Sequence, residues 1–366
     1  MAQKTRVLAV VGARPNIMKT APELAELERR GDRFESSLVH TGQHYDDALS
    51  QVFLDELRVR PPSHVLGVGS GSHAEQVARV MERLDPVLVR TLPDLVLVAG
   101  DVNSTVAAAL TAVQRGLPVG HIEAGLRSFD RSMPEEVNRV VTDAVSTLHF
   151  IHSPEARANL LREGIAGESI AFVGNTMIDT LTAMRERPEV RAAPAAFGLE
   201  PGKYLLVTLH RPALVDGPLL PDVVCELERV GREIPVVFPV HPRTSAALAE
   251  RRLSLGHGVT LLPPLGYLDF LGLMQCAAGV LTDSGGVQEE TTVLGVPCFT
   301  LRANTERPVT VEAGTNRLLG LDPTRIAEIP ASLVDATRAP RRLPDGWDGR
   351  AAMRLVDVVD DYFAAV

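Results

Sequence analysis

The sequence predicts an α/β fold with two doubly wound domains and a central cleft, and three observations predict it. The chain has 366 residues, more than a single hydrophobic core usually serves. Short β-branched runs alternate with longer segments of helical period along the whole sequence. The alternation is interrupted at the Pro- and Ala-rich stretch 187–203, a linker or the approach to a new domain, and then restarts. Two successive βαβ halves therefore predict two doubly wound domains, which bind ligands beyond the carboxyl ends of their strands.

The predicted elements follow in chain order. In the first half, buried parallel strands are predicted over 6–11, 36–40, 94–100, 118–124, 148–152 and 169–174. In the second half, they are predicted over 203–210, 235–241, 258–264, 277–283 and 296–302. The clearest amphipathic helix is predicted over 135–148, with Val137, Val140, Val141, Ala144, Val145 and Leu148 at helical spacing. A last helix, with Ala352, Leu355, Val359 and Phe363, follows the breaker-rich stretch 336–349.

Composition and charge argue against several classes of function. The formal net charge of -9 argues against a nucleic-acid partner, which requires a concentrated basic face. Cys225, Cys276 and Cys298 lie in apolar contexts without metal-ligand spacing, which is typical of buried thiols in a reduced cytoplasm. No apolar run approaches the roughly 20 residues of a membrane span, and the N-terminal run is too short for a signal peptide. We therefore expect a cytoplasmic protein without a nucleic-acid or membrane partner.

A glycine loop follows the predicted strand that ends at Thr282-Asp283. Ser284, Gly285 and Gly286 allow backbone N–H groups to approach a ligand closely, and a helix start follows them. Such a helix start favours an anion, and phosphate is the natural guest. In the alternative interpretation, Ser284 is a simple N-cap, which leaves the paired glycines unexplained.

Glu290 lies in the helix that this loop begins. It shares the face that should pack inward with Val287, Thr291 and Leu294. A carboxylate on such a face needs a specific partner. A sugar diol such as a ribose is one candidate, and a buried lysine or arginine is the other.

Two carboxylates lie at the carboxyl ends of predicted strands. Asp101 and Glu123 each follow or end an apolar run, so both are expected to point into the cleft. Asp101 could instead cap the helix that begins near Asn103. Glu123 could instead form an ion pair with Arg127, four residues further on.

Glu135 has a structural interpretation of its own. Ser132 and Glu135 have the spacing of a capping box, with a proline inside the helix start. On this stretch alone, a structural role for Glu135 is favoured.

Cationic and imidazole side chains also follow the predicted strands or the glycine loop. They are Arg14, Lys19, His210, Arg211, His241 and Arg307. Together they would supply the cations that a diphosphate needs beside the glycine-loop N–H groups. Neither a P-loop motif nor metal-ligand spacing occurs, so we expect no metal and no nicotinamide cofactor.

Longer motifs connect these residues to a known family. The chain contains, in order, the segments GARPNIMKTAP, TGQH, GDVNST, GHIEAGLR, MPEEVNR, GNTMIDTL, LVTLHRP, PVHPRT, LTDSGGVQEE, LGVPCFTLR and NTERPVTVEAGTNRLLG. In number and order they resemble the non-hydrolysing UDP-N-acetylglucosamine 2-epimerases, from about Val7 to Gly320. The resemblance implies two Rossmann-like domains in the arrangement of the GT-B glycosyltransferases. We expect an N-terminal domain over 1–175, a UDP-binding domain over 176–349, and a terminal helix, 350–366, that returns to the first domain.

The resemblance also implies an activity and a set of site residues. The activity is inversion at C2 of UDP-GlcNAc to UDP-ManNAc, through elimination of UDP to 2-acetamidoglucal and re-addition, by a homodimer. The catalytic positions match Asp101, Glu123, Glu135 and His210, and for Glu135 this role takes precedence over capping. The UDP-sugar contacts match Arg14, Lys19, Ser284, Gly285, Gly286, Arg307 and, at the ribose, Glu290. Gln43, Arg211 and His241 are also expected to bind the substrate.

The chemistry accounts for such a set. The C2 proton of the sugar is not beside a carbonyl, so loss of UDP from C1 must first acidify it, and donors to the departing diphosphate lower the barrier. Inversion then needs a base on one face of C2 and an acid on the other.

The identity of the substrate's sugar is left open by one departure from the family pattern, because Asn16 stands where the family commonly has glutamate. Three alternatives remain: a hydrolysing epimerase releasing ManNAc and UDP, a GT-B glycosyltransferase, and a non-catalytic nucleotide-sugar-binding protein.

Overall fold

The computed structural model describes residues 4–42, 53–256, 258–335 and 343–365. The chain divides into two compact units, one formed by Met1–Ala183 with Asp345–Val366 and the other by Met184–Pro344. No helix in the described part of the chain is long and apolar enough to cross a lipid bilayer.

The first unit is built on a parallel sheet. Its strands are β1 (Thr5–Val11), β2 (Phe34–His40), β3 (His64–Val65), β4 (Leu95–Ala99), β5 (Val119–Ile122), β6 (Leu148–Ile151) and β7 (Ile170–Phe172). They lie in the order β3-β2-β1-β4-β5-β6-β7 with parallel pairing throughout. Strands β2 and β3 are added on one side of β1, and strands β4 to β7 are added on its other side, as in a doubly wound fold. All predicted strands of this half are confirmed, whereas β3 is too short to give an apolar run.

Helices alternate with these strands. They are α1 (Arg14–Arg29), α2 (His73–Thr91), α3 (Asn103–Gln114), α4 (Pro134–Val145), α5 (Pro154–Arg162) and α6 (Thr176–Met184). One buried cluster joins β1 and β4 to α2 and α3 through Leu8, Val98, Leu88 and Ala108. This apolar packing against the sheet fixes the strand ends from which the candidate site residues follow.

The second unit is built on another parallel sheet. Its strands are β8 (Leu205–Thr208), β9 (Val236–Pro239), β10 (Val259–Leu262), β11 (Gly279–Thr282), β12 (Cys298–Thr300) and β13 (Asn316–Leu318), in the order β10-β9-β8-β11-β12-β13. The five predicted strands are confirmed. β13 was not predicted, because its buried residue Asn316 is polar and does not extend an apolar run. Its side chain accepts a hydrogen bond of 2.7 Å from the hydroxyl of Thr300. The predicted fold class, α/β with two doubly wound, Rossmann-like domains, is confirmed.

The helices of the second unit include one that was not predicted. They are α7 (Pro188–Ala196), α8 (Pro212–Val215), α9 (Leu220–Gly231), α10 (Pro242–Glu250), α11 (Tyr267–Cys276), α12 (Gly285–Leu294), α13 (Pro308–Glu312) and α14 (Ile329–Asp335). α7 packs so closely on α11 that a β-carbon on Gly272 would lie 2.2 Å from the carbonyl oxygen of Val190. The interpretation of 187–203 as a linker is therefore wrong for residues 188–196. These residues form α7, whose Val190 and Ala193 are buried in the core of this unit.

The last helix, α15 (Ala351–Ala365), packs on α1 of the first unit. Asp179 of α6 accepts hydrogen bonds from the N–H groups of Ala351 (3.1 Å) and Ala352 (2.8 Å) at the start of α15. Arg30, at the end of α1, lies 2.7 Å from the carboxylate of Asp357. Because α6 holds α15 in this way, the first unit extends to Ala183 and not only to 175.

The helix predicted over 135–148 is present as α4, but its predicted apolar face is not the buried one. Val137 is 45% exposed, and Leu148 belongs to β6. The buried side chains are Glu136, Arg139, Thr142 and Asp143. These polar groups can be buried because Arg139 and Asp143 form ion pairs within the first unit.

The capping box predicted for α4 is also wrong. The N-cap residue is Met133, without a side-chain cap, and Pro134 is the first helical residue. The hydroxyl of Ser132 donates a hydrogen bond of 2.6 Å to Asp130. Ser132 is thus committed to the loop before the helix and does not reach the helix N–H groups.

Candidate active site

Lys19 and Glu123 form a buried ion pair in the first unit. Lys19 lies on α1 and Glu123 directly follows β5. Gly100, which directly follows β4, has φ +67°, and a β-carbon there would lie 2.9 Å from Lys19 Nζ and 3.3 Å from Glu123 Oε2. The pair therefore occupies the space that a larger residue at 100 would fill, and it keeps a cation beside a candidate catalytic carboxylate.

The alternative pairing of Glu123 with Arg127 is wrong. Arg127 lies 2.7 Å from Asp143 and 2.6 Å from Glu163. These two carboxylates neutralise Arg127, and the cation beside Glu123 is Lys19.

Asp101 forms an ion pair with Arg139 of α4. The side-chain amide of Asn138 also donates to the backbone carbonyl of Asp101 at 2.9 Å. The N-cap of α3 is Val102, and no side chain caps it. The capping interpretation of Asp101 is therefore wrong, because Arg139 on the neighbouring helix holds this carboxylate.

Glu135 and Glu136 are adjacent but have different surroundings. Glu136 is buried, and it accepts hydrogen bonds from the N–H groups of Ser128 (2.8 Å) and Phe129 (3.0 Å). Glu135 is half-buried, and within the described ranges no hydrogen bond or ion pair engages its carboxylate. The structural role of Glu136 was not predicted, although the two consecutive glutamates in MPEEVNR could have indicated one structural and one catalytic residue. The structural role at this helix start belongs to Glu136.

His210 is held by Asp283 in the second unit. Asp283 Oδ2 accepts hydrogen bonds of 2.8 Å from the backbone N–H groups of His210 and Arg211. Asp283 Oδ1 lies 3.1 Å from His210 Nδ1. Burial alone would raise the pKa of Asp283, but its hydrogen bonds with His210 and the two N–H groups hold that pKa below its usual value. An ionised Asp283 therefore orients the imidazole and fixes which nitrogen faces outward.

His241 lies beside His210, with the ring centroids 5.4 Å apart. His241 is the N-cap of α10, and its Nδ1 accepts a hydrogen bond of 3.2 Å from the N–H of Arg243. The His210 side chain is 37% exposed. The structure thus brings together the two histidines that follow β8 and β9, with His210 open to a ligand.

Ser284, Gly285 and Gly286 form the start of α12, as predicted. Ser284 is the N-cap residue, but its hydroxyl makes no capping hydrogen bond. A β-carbon on Gly285 would lie 2.4 Å from Nη1 of Arg307. The guanidinium therefore lies directly against the helix start, where unpaired N–H groups and the helix dipole also favour an anion.

A buried ionic cluster holds Arg307 in place. Arg307 Nε donates to Glu289 at 2.8 Å, and Nη1 lies 3.5 Å from Glu306. Arg302 makes two hydrogen bonds of 2.8 Å to Glu306. Although burial acts in the opposite direction, the contacts with Arg302 and Arg307 keep the pKa of Glu306 far below its usual value. Sequence reasoning missed Glu289 and Glu306, for which adjacency to Glu290 and Arg307 was the available signal.

Glu290 is buried and receives a hydrogen bond of 2.9 Å from the hydroxyl of Tyr267 on α11. The expected alternative, a buried lysine or arginine, is wrong. Burial raises the pKa of Glu290 to about 8, a rise that the Tyr267 hydrogen bond reduces and the charge of Glu289 increases. This carboxyl is therefore poised to change its protonation state when a ligand approaches.

Two predicted contacts have little or no structural description. Gln43 lies outside the described residues. For Arg14 the structure gives the backbone, as the first residue of α1.

The sequence and the fold both match known proteins. The family model described as UDP-N-acetylglucosamine 2-epimerase matches residues 25–360. The chain is 40% identical over 360 residues to a UDP-N-acetylglucosamine 2-epimerase of Methanococcus maripaludis, covering 96% of this chain and 97% of the relative. It is 37% identical over 327 residues to a UDP-2,3-diacetamido-2,3-dideoxy-D-glucuronate 2-epimerase of Pseudomonas aeruginosa, covering 88% of this chain and 90% of the relative.

A solved structure extends this match to the fold. The crystal structure of Methanocaldococcus jannaschii UDP-GlcNAc 2-epimerase in complex with UDP-GlcNAc and UDP aligns with a TM-score of 0.90 at 37% identity. The alignment covers 98% of this chain and 100% of that one. With a family model that matches nearly all of its length and relatives that match it almost end to end, the chain belongs to the UDP-N-acetylglucosamine 2-epimerase family.

Proposed function

We propose that this protein inverts C2 of UDP-GlcNAc to give UDP-ManNAc, by elimination of UDP to 2-acetamidoglucal and re-addition. One observation carries this proposal. The chain matches the family over nearly all of its length, and it has the expected residue at each of the four positions that match the family's catalytic residues. These residues are Asp101, Glu123, Glu135 and His210.

The second unit provides the groups that a leaving diphosphate requires. The start of α12 and the guanidinium of Arg307 lie side by side at Gly285. As the bond between C1 and the phosphate oxygen breaks, the electron pair leaves with UDP, and these donors stabilise the negative charge that develops. His210, oriented by Asp283, is a further donor to the diphosphate or to the sugar.

The first unit provides the groups that move the C2 proton. Once C1 gains positive character, a carboxylate removes the proton from C2, and the glucal forms. Re-addition requires a proton on the opposite face of C2 while the UDP oxygen attacks C1 again. Asp101, Glu123 and Glu135 are the acid and base candidates, and two of them lie beside cations, Glu123 beside Lys19 and Asp101 beside Arg139.

The nucleotide part of the substrate has its own contact. We assign the ribose hydroxyls to Glu290, whose carboxylate accepts hydrogen bonds from a diol. The buried position of this residue on α12 supports the assignment. Gln43, Arg14, Arg211 and His241 are proposed as further substrate contacts.

Incubation with UDP-GlcNAc in D₂O, followed by NMR of the products, tests this function. We expect deuterium at C2 of a UDP-linked manno sugar and of recovered UDP-GlcNAc. Free ManNAc with UDP would instead identify a hydrolysing epimerase, and no exchange without an added acceptor would favour a glycosyltransferase or a binding protein. A parallel incubation with UDP-2,3-diacetamido-2,3-dideoxy-D-glucuronate tests the sugar, because the Pseudomonas relative is named for that substrate.

We further propose that the protein acts as a cytoplasmic homodimer without a cofactor. Family resemblance supports the dimer. Cys225, Cys276 and Cys298 form no disulfide, which supports a reducing compartment, although Cys225 is exposed and not buried as expected. Light scattering during size-exclusion chromatography would give twice the 39.4 kDa chain mass. A mass of one chain at micromolar concentration would contradict the dimer.

A further inference from the structure

We propose that His121 and Asp143 form a positioning pair, with His121 as a buried imidazolium, that holds the two turns carrying Asp101 and Glu123. The proposal rests on the proposed function for its kinetic consequences. Both residues are almost completely buried, at 0% and 1% exposure. Neither is assigned to the substrate, and both lie within the first unit.

The hydrogen bonds of His121 determine its charge. Its Nε2 lies 2.8 Å from the carbonyl oxygen of Gly100, and its Nδ1 lies 2.6 Å from Oδ1 of Asp143. A carbonyl oxygen can only accept, so Nε2 carries a proton. An ionised carboxylate can also only accept, so Nδ1 carries a second proton.

Asp143 is ionised because it is surrounded by donors. Its Oδ2 accepts from the N–H of Gly125 at 3.1 Å and lies 2.7 Å from Arg127. Burial alone would raise the pKa of Asp143, but His121 and Arg127 hold it below its usual value. With Glu163 on the far side of Arg127, two positive and two negative groups balance within this cluster.

The pair connects the turn after β4 to the turn after β5. The N–H of Gly100 donates to the carbonyl of Ile122 at 2.9 Å, and the carbonyl of Gly100 accepts from His121. Both ends of residue 100, directly before Asp101, are therefore fixed to β5. In the same way, Asp143 fixes Gly125, two residues after Glu123.

The turn after β5 needs such support. Glu123 has φ +68°, in the left-handed region that a residue with a side chain rarely adopts. A strained residue keeps its conformation only when its surroundings impose it. Asp143 holds the turn through Gly125, so that the Glu123 carboxylate stays at Lys19.

His149 offers a matched control. It is the register partner of His121 on the neighbouring strand β6, and it is 1% exposed. Its Nε2 lies 2.8 Å from the backbone carbonyl of Asp143, and its Nδ1 lies 3.2 Å from Ser169. It is thus equally buried in the same sheet, but its hydrogen bonds do not reach Gly100.

The kinetic test compares His121→Gln with His149→Gln in the full-length protein. For His121→Gln we expect kcat to fall about 10- to 100-fold with KM within about threefold, because displaced carboxylates slow the chemistry without removing a substrate contact. For His149→Gln we expect kcat within about twofold of the parent protein, even if Tm falls. Equal kcat losses in the two variants, or a loss confined to KM, would overturn the proposal.

NMR of protein labelled with ¹⁵N-histidine gives a readout that is independent of turnover. In the parent protein at neutral pH, one histidine should carry two ring N–H protons that exchange slowly with solvent. Asp143→Asn should abolish this signature, because a neutral amide no longer favours the second proton. A parent spectrum without such a ring would overturn the proposal, even if the variants fail to fold. Lack of epimerisation by the parent protein would contradict the proposed function and leave this NMR result unaffected.

Discussion

The backbone of Gly285 and the guanidinium of Arg307 are in direct contact, since a β-carbon on Gly285 would lie 2.4 Å from Nη1 of Arg307. We therefore predict that Gly285→Ala displaces Arg307 from the start of α12 and weakens the binding of UDP and of the substrate. A loss of about tenfold in UDP affinity is expected, since one charged hydrogen-bonding partner is moved. Isothermal titration with UDP measures it.

The control for this prediction is Gly256→Ala in the same unit. Its nearest neighbour would be Glu228 at 3.9 Å, so the added methyl group has space. Unchanged UDP affinity in Gly285→Ala, or an equal loss in both variants, would contradict a specific contact between Gly285 and Arg307.

The raised pKa of Glu290 predicts that nucleotide binding depends on pH. Burial raises this pKa to about 8, so the free protein holds Glu290 protonated at pH 7. A ribose diol is bound best by the carboxylate, so binding should release a proton, and the Kd for UDP should fall as the pH rises from 7 to about 8.5. Titrations in two buffers of different ionisation enthalpy measure this proton release. The Glu290→Gln variant should bind more weakly and lose the pH dependence in this range.

The same pKa predicts the direction of a stability change. A carboxyl whose folded pKa lies above its usual value of 4.5 binds its proton more tightly when folded, so its stabilising effect is lost as the pH rises through about 8. The free protein should therefore lose more Tm between pH 6.5 and 8.5 than the Glu290→Gln variant. Equal losses in the two proteins would show that Glu290 is already ionised in the folded protein at neutral pH.

Substitutions of the two adjacent glutamates of α4 should have different effects, on activity for Glu135 and on stability for Glu136. Glu135→Gln should lower kcat by about 10²- to 10⁴-fold if Glu135 is an acid or base, with Tm nearly unchanged. Glu136→Gln should lower Tm, because Glu136 binds the N–H groups of Ser128 and Phe129. Deuterium exchange at C2 and thermal unfolding measure the two effects. The reverse pattern would move the catalytic assignment from Glu135 to Glu136.

Glu306 should be essential for folding of the second unit. It is the anion between Arg302 and Arg307, and its contacts with them keep its pKa far below its usual value. Glu306→Gln leaves two buried cations without this partner, at a cost of about 3–5 kcal/mol. Glu312→Gln, an exposed change of the same charge on α13, should have little effect on unfolding by urea. Similar midpoints for the two variants would contradict the role of Glu306.

The strands could be predicted from the sequence because buried parallel strands are nearly continuous apolar runs. The positions of Asp101, Glu123 and His210 at strand ends followed from the same pattern. The buried face of α4 could not be predicted, because ion pairs, and not apolar side chains, fill it. The ionic partners were equally inaccessible: Lys19 and Glu123 are separated by 104 residues, and local spacing favoured Arg127 instead. Which residues pair within a site is decided by the topology, which local patterns do not specify.

The docking of α15 on α1 has a consequence for protein synthesis. The segment that completes the first unit leaves the ribosome only after the whole second unit has been translated. Until then, Asp179 of α6 lacks the two backbone N–H groups that it binds at the start of α15, and the side of α1 that packs against α15 is not covered. Until the second unit has been translated, the nascent first unit therefore contains its whole sheet, β1 to β7, but lacks helix α15.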